Sequence, residues 1–242
     1  MTRLSVNVNK VALLRNARGG AEPNLIHFVR EVERAGAQGI TVHPRPDERH
    51  IRIKDVYALK EVVQTEFNIE GYPTSDFLKM IETVKPAQCT LVPDAVDQMT
   101  SDHGWDMLRE AVFLKEVIAR IKSAGVRVSL FADPDIRQIE AAVSTGTDRI
   151  ELYTGPYALA YDKDPESAVA TYREAATYCQ QLNIGLNAGH DLNLDNLRFF
   201  ANQCPGLLEV SIGHALIKDC LYLGLQNTIA LYLRCLEENR NL

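Results

Sequence analysis

Short β-branched runs alternate with helix-period segments along the whole chain, and this alternation constrains the fold more than any other feature. The expected strands are Leu4–Asn9, Gly39–His43, Phe67–Glu70, Cys89–Val92, Arg127–Phe131, Arg149–Tyr153, Gly185–Asn187 and Leu208–Ile212. Between them lie helical patterns. One is expected from Pro23 to Arg34, with Leu25, Ile26, Val29 and Val32 on one face. Another covers Asp106–Ala124, with Leu108, Val112, Val117, Ile118 and Ile121 as its apolar positions. Asp164-Pro165-Glu166 reads as an N-cap, a proline at the first helical position and an early acid. Ala35-Gly36, Ala124-Gly125 and Thr145-Gly146 read as left-handed C-caps that drop into the next strand. Eight strands separated by helices require a parallel sheet. An open doubly wound sheet is compatible with the pattern, but closure removes both edges and 242 residues suits a barrel. The expectation is therefore a single (β/α)8 TIM barrel, one domain over 1–242.

Composition narrows the function classes. At 46 % hydrophobic and 24 % charged the chain has ordinary globular composition, enough to build one large core. No run of about eighteen apolar residues exists, so no helical membrane span is expected. MTRLSVNVNK passes straight into strand pattern without a signal-like apolar core, which places the chain in the cytoplasm as an expectation. The net charge of −6 argues against a nucleic-acid footprint but not against anionic ligands, which need only a few local donors. Five scattered cysteines without a CxxC pair read as buried thiols.

In a barrel, catalytic groups sit at the C-terminal ends of the strands and in the loops that follow. Those positions hold Asn7 and Asn9, His43 and Arg45, Glu70, Thr100, Glu151 with Thr154-Gly155, Asn187 to His190, and Gly213-His214. No such collection is expected at the opposite end. Four of six histidines, His43, His50, His190 and His214, fall in these loops. Glu70 closes its strand among histidines and arginines, where burial and cationic neighbours tune a carboxylate for acid–base work. AsnAlaGlyHis and IleGlyHisAla suggest a phosphate site, because glycine lets backbone N–H groups approach an anion and HisAlaLeuIleLysAsp can begin a short helix. Arg15 and Arg18, followed by a glycine pair, are either anion donors or a solvated loop. The polar stretch from Pro93 to Trp105 has the length of a lid. A metal site built from these histidines and Glu70 is disfavoured by the nearby arginines and the lack of local ligand spacing. On residues alone, three readings stand: an acid–base enzyme of small phosphorylated metabolites, a metal-dependent barrel epimerase or aldolase, and a non-enzymatic phosphometabolite sensor.

SVNVNKVALLRNARGG, GITVHPRPDERHI, FNIEGYPT, LVPD, VSLFADPD, IELYTGPYA, GLNAGH and SIGHALI occur in this order from end to end. As a set they resemble the pyridoxine 5′-phosphate synthase family, barrel enzymes of the deoxyxylulose-dependent vitamin B6 pathway. The resemblance implies condensation of 1-deoxy-D-xylulose 5-phosphate with 3-amino-2-oxopropyl phosphate, releasing phosphate and water. It implies His43 and Glu70 as general bases, His190 as proton donor and Glu151 as a stabiliser of transition-state charge. Asn7, Arg18, the backbone of Asp191 and Gly213-His214 would bind the amino-ketone phosphate. Asn9, Lys10, Arg45, His50 and Thr100 would hold the deoxyxylulose phosphate. No metal or organic cofactor is implied, and a homo-octamer is. Three positions depart from the family pattern: Asn9 stands where Asp is frequent, Lys10 where His is frequent, and Asp191 where Gly is common. A side-chain cap on the next helix is one use open to Asp191.

Overall fold

The computed structural model describes residues 1–94 and 101–237. Its strands are β1 (Arg3–Asn7), β2 (Gly39–Val42), β3 (Glu66–Gly71), β4 (Gln88–Leu91), β5 (Arg127–Ala132), β6 (Arg149–Tyr153), β7 (Gly185–His190) and β8 (Leu207–Ile212). Each pairs parallel with its successor, and β8 pairs with β1 to close the barrel. The helices are α1 (Asn9–Asn16), α2 (Leu25–Arg34), α3 (Ile53–Lys60), α4 (Ser75–Val84), α5 (Met107–Ser123), α6 (Ile136–Thr145), α7 (Gly155–Tyr161), α8 (Pro165–Gln181), α9 (Leu197–Gln203), α10 (His214–Leu223) and α11 (Leu225–Leu236). This is the (β/α)8 barrel expected from the alternation. Among the described residues no helix is long and apolar enough to cross a membrane.

Period-two alternation explains the layers. Leu4, Val6, Ile40, Val42, Ile69, Leu91, Val128, Leu130, Ile150, Leu152, Val210 and Ile212 are fully buried and join helix residues such as Val29, Leu114, Ile139, Leu197 and Ile229 in one core. The intervening strand positions are buried too, but polar: Ser5, Thr41, Asn68, Thr90, Ser129, Glu151, Asn187 and Glu209. Several of them pair across the barrel. Ser5 Oγ and Thr41 Oγ1 are 2.8 Å apart, and Thr90 Oγ1 donates to Asn68 Oδ1 at 3.1 Å.

Several boundaries differ from the sequence expectation, each for a local reason. The first strand stops at Asn7 because its Oδ1 accepts from Asn9 N–H at 3.0 Å and turns the chain into α1. Helix α2 starts at Leu25 rather than Pro23, with Asn24 Oδ1 accepting from His27 N–H at 3.0 Å. Strand β7 runs on to His190. Leu108 and Val112, two of the apolar positions of α5, are 60 % and 76 % exposed. The three glycine C-caps hold, with φ of +106°, +81° and +78° at Gly36, Gly125 and Gly146.

The end opposite the mouth is also charged, contrary to expectation. Glu66 takes ion pairs from Arg3 and Arg127, Arg127 Nε donates to Gln88 Oε1 at 2.9 Å, and Arg149 Nη1 donates to Asn187 Oδ1 at 3.2 Å. All but Asn187 begin their strands, and mutual pairing lets these residues plug the bottom of a polar interior.

Candidate active site

A cavity of about 520 Å³ opens at the C-terminal end of the strands. Asn7, Asn9, Lys10, His43, Arg45, His50, Glu70, Glu151, His190, Asp191, Gly213 and His214 all line it. They arrive from β1, β2, β3, β6, β7 and β8 or the turns behind them, so residues far apart in sequence converge because parallel strands all point their C-termini one way. Arg18 sits exposed in the turn after α1 and does not line the cavity. Thr100 lies outside the described residues.

The proton-transfer groups are close together. His43 Nδ1 lies 3.9 Å from Glu70 Oε2, and Asn7 Nδ2 donates to the same carboxylate oxygen at 3.3 Å. Burial first, then Arg45 and His50, push the His43 imidazole well below its ordinary value, so it is neutral near pH 7 and can accept a proton. Glu70 moves the other way: burial and the neighbouring Glu151 raise it well above the usual carboxylate range, and Arg45 opposes the rise. Burial, then Glu209, raise Glu151 to about 8, while Thr90 Oγ1, 3.5 Å from its Oε2, opposes the rise. Burial thus lowers the imidazole and raises both carboxyls, perturbations of the kind that mark groups suited to passing protons.

The cationic side is equally ordered. Arg45 is buried between two prolines and pairs with Asp94, whose Oδ2 also accepts from Ser101 Oγ at 2.6 Å. His50 Nδ1 accepts from Ile51 N–H at 2.9 Å, and burial with Arg45 lowers the ring to about 4. It therefore presents a neutral ring whose proton is on Nε2. Asn9 Oδ1 accepts from His43 N–H at 2.9 Å, locking the end of β2, a bond an aspartate could accept equally. Gly213 precedes α10, and His214 is its first residue, so the helix N-terminus faces the mouth where an anion is favoured.

Other expectations resolve into structural roles. Arg15 is buried and forms a two-pronged pair with Asp55, both N···O distances being 2.8 Å. It is not an anion donor. Asn187 belongs to the bottom network, because β7 continues past it to His190. Thr154 Oγ1 donates to Gly189 O, and Gly155 packs against Tyr153; neither lines the cavity. Asp191 does not cap α9, which begins after Asn196; its Oδ2 lies 2.6 Å from His190 Nδ1 instead. Sequence reasoning missed Arg49, Ser101, Phe131 and Ser211 in the lining and Asp94 behind it. Arg49, in ProAspGluArgHis, Asp94, in LeuValProAsp, Phe131, in VSLFADPD, and Ser211, in SIGHALI, lay inside recognisable motifs, and Ser101 in the expected lid stretch, but none stood out as a site residue. Among the described residues no three His, Cys, Asp or Glu side chains come together to hold a metal ion.

Fold and cavity define the class: a (β/α)8-barrel enzyme whose acid–base groups and cationic donors share one mouth. The family model for Pyridoxal phosphate biosynthesis protein PdxJ matches residues 4–238. A pyridoxine 5′-phosphate synthase from Cytophaga hutchinsonii is 55 % identical over 238 residues, covering 98 % of this chain and 100 % of the relative. One from Bacteroides fragilis is 58 % identical over 236 residues, covering 98 % and 100 %. A thiamine phosphate pyrophosphorylase structure from Pyrococcus furiosus, only 12 % identical, superposes with a TM-score of 0.64 over 99 % of this chain and 97 % of its own, which bears on the fold alone. The chain belongs to the PdxJ family.

Proposed function

We propose that this chain, acting as one barrel domain in the cytoplasm, condenses 1-deoxy-D-xylulose 5-phosphate with 3-amino-2-oxopropyl phosphate to pyridoxine 5′-phosphate. The observation that carries the reading is the His43–Glu70 approach of 3.9 Å inside a cavity lined by Lys10, Arg45, Arg49 and His50. Imine formation, dehydration and ring closure each move protons at neutral pH, and this pair holds opposite displacements suited to exchanging them. Neutral His43 and the ionised form of Glu70 take protons. His190 supplies one to the departing hydroxyl. Glu151, protonated near neutrality, offers a hydrogen bond to charge developing on oxygen, as a carboxyl held neutral by its site can.

Asn9, Lys10, Arg45 and His50, with Thr100, hold the deoxyxylulose phosphate in this reading. Asn7, the Asp191 backbone and Gly213-His214 hold the amino-ketone phosphate. Arg18 joins that second set only by rearrangement of its exposed turn over the mouth. Assembly as a homo-octamer belongs to the same proposal, and it is supported by exposed apolar groups: Leu221 and Tyr222 on α10 are 74 % and 82 % exposed. The test is incubation of purified protein with both substrates, following pyridoxine 5′-phosphate and released inorganic phosphate together. Equimolar appearance of the two supports the reaction. Phosphate release without the ring product, or turnover only after adding a divalent metal, points to the metal-dependent aldolase alternative. Binding without any product points to a sensor.

A further inference from the structure

His190 is held in an unusual way. It ends β7 with φ of +81°, a left-handed conformation rarely adopted by residues other than glycine. Its ring is gripped from two sides. Asp191 Oδ2 lies 2.6 Å from Nδ1, and the Tyr153 ring packs nearly perpendicular to it with centroids 5.6 Å apart. Both His190 and Asp191 line the cavity. The carboxylate comes from the residue at which the resemblance leads one to expect glycine.

We propose that Asp191 is a positioning residue for His190, taking the Nδ1 proton in a hydrogen bond so that Nε2 is the nitrogen that transfers the catalytic proton. This rests on the assignment of His190 as proton donor made above. The chemistry is loss of water from a hydroxyl-bearing carbon. A base removes a proton from the adjacent carbon, and the C–H pair becomes the new double bond. The C–O pair leaves with oxygen, and Nε2–H protonates that oxygen to give water. The imidazolium becomes a neutral ring that keeps its Nδ1–H on Asp191. An acceptor at Nδ1 fixes both the tautomer and the ring direction, the role a carboxylate plays beside a catalytic histidine. A carboxylate in a phosphate loop is otherwise unfavourable to an anionic substrate, so its engagement with His190 also directs the negative charge away from the loop amides.

The test combines histidine ¹⁵N NMR at a pH where the ring is neutral with steady-state kinetics on wild type, Asp191→Gly and Asp191→Asn. The His190 signals are identified by their loss in His190→Asn, and thermal melts establish that each variant is folded. The expected result is an Nδ1–H tautomer in wild type, an Nε2–H tautomer in Asp191→Gly, and partial retention of Nδ1–H in Asp191→Asn, which keeps an acceptor. In Asp191→Gly kcat falls at least about tenfold, a part of what a positioned general acid supplies, while KM for the amino-ketone phosphate is unchanged or lower. An Nε2–H tautomer in wild type overturns the proposal whatever His190 does. So does an Asp191→Gly protein with unaltered tautomer and kcat but raised KM, which makes Asp191 a binding-loop residue only. Normal turnover by His190→Asn, in contrast, overturns the proton-donor assignment itself and is read separately from the tautomer.

Discussion

Glu151 shows how much a single buried carboxyl can say. It is 3 % exposed, and burial with Glu209 raises it to about 8 from an ordinary 4.5. In this window the folded chain holds a proton that the unfolded chain has released, so folding stability falls as pH rises from about 4.5 to about 8. His43 and His50 have lowered values and act oppositely: the unfolded chain binds the extra proton below 6.5, so their contribution is lost as pH falls. The Glu151 signal is therefore cleanest between 6.5 and about 8. Glu151→Gln should make the decline of Tm with pH shallower across that range, without removing it, because Glu70 and Glu209 are also raised. Melts of both proteins with identical slopes would contradict the assignment. His43, Glu70 and Glu151 were legible in the sequence because a titratable residue at or near the end of an alternating strand stands out against its apolar neighbours. Asp94 was not, because its meaning depends on Arg45, which the chain places forty-nine residues earlier.

Between elements, the tie from α1 to α3 is the clearest case of a role that sequence could not reveal. Arg15 and Asp55 are forty positions apart, yet their side chains are 7 % and 11 % exposed and bonded at both ends. Asp55 also accepts from Arg52 N–H at 2.8 Å, and Arg15 donates to His50 O at 3.2 Å, so the pair anchors the loop that carries His50. Asp55→Ala leaves the guanidinium buried without its partner and should cost about 3–5 kcal/mol in urea unfolding. A loss below about 1 kcal/mol would mean that the pair is solvated after all. The glycines near the mouth divide in the same way. A Cβ on Gly189 would lie 2.4 Å from Ser211 O, so packing alone forbids a side chain there. On Gly213 it would lie 3.2 Å from Asn7 Cβ, a tight but adjustable contact. Gly213→Val should therefore fold and lose affinity for the amino-ketone phosphate by at least about tenfold while still binding deoxyxylulose phosphate. Calorimetric titration of each substrate beside a thermal melt decides it, and unchanged affinity for both would place the phosphate elsewhere. Strand β7 was read too short from sequence because Ala188 and Gly189 have weak strand preference; pairing to β6 and β8 overrides it.

For the whole molecule, closure of the barrel was legible because eight runs share one sheet, closure removes both of its edges and the length suits a barrel, whereas the polar filling was not, since inside and outside are not labelled on a strand buried on both faces. The same limit hid the outer surface. Leu108 and Val112 look like core positions by periodicity, yet at 60 % and 76 % exposure they project from α5. Such residues suit contacts between copies, and light scattering should give about eight times the 27.1 kDa chain mass. A monomer at micromolar concentration would contradict that assembly. The proposed chemistry, by contrast, depends on the mouth and above all on Glu70 beside His43. Its most direct test is the rate of pyridoxine 5′-phosphate formation by wild type and Glu70→Gln at equal concentration, with melts confirming that both are folded. A wild-type enzyme that forms product and a variant at least about a hundredfold slower are expected, the scale on which a positioned general base acts; a folded Glu70→Gln protein that turns over at a near-normal rate would contradict it.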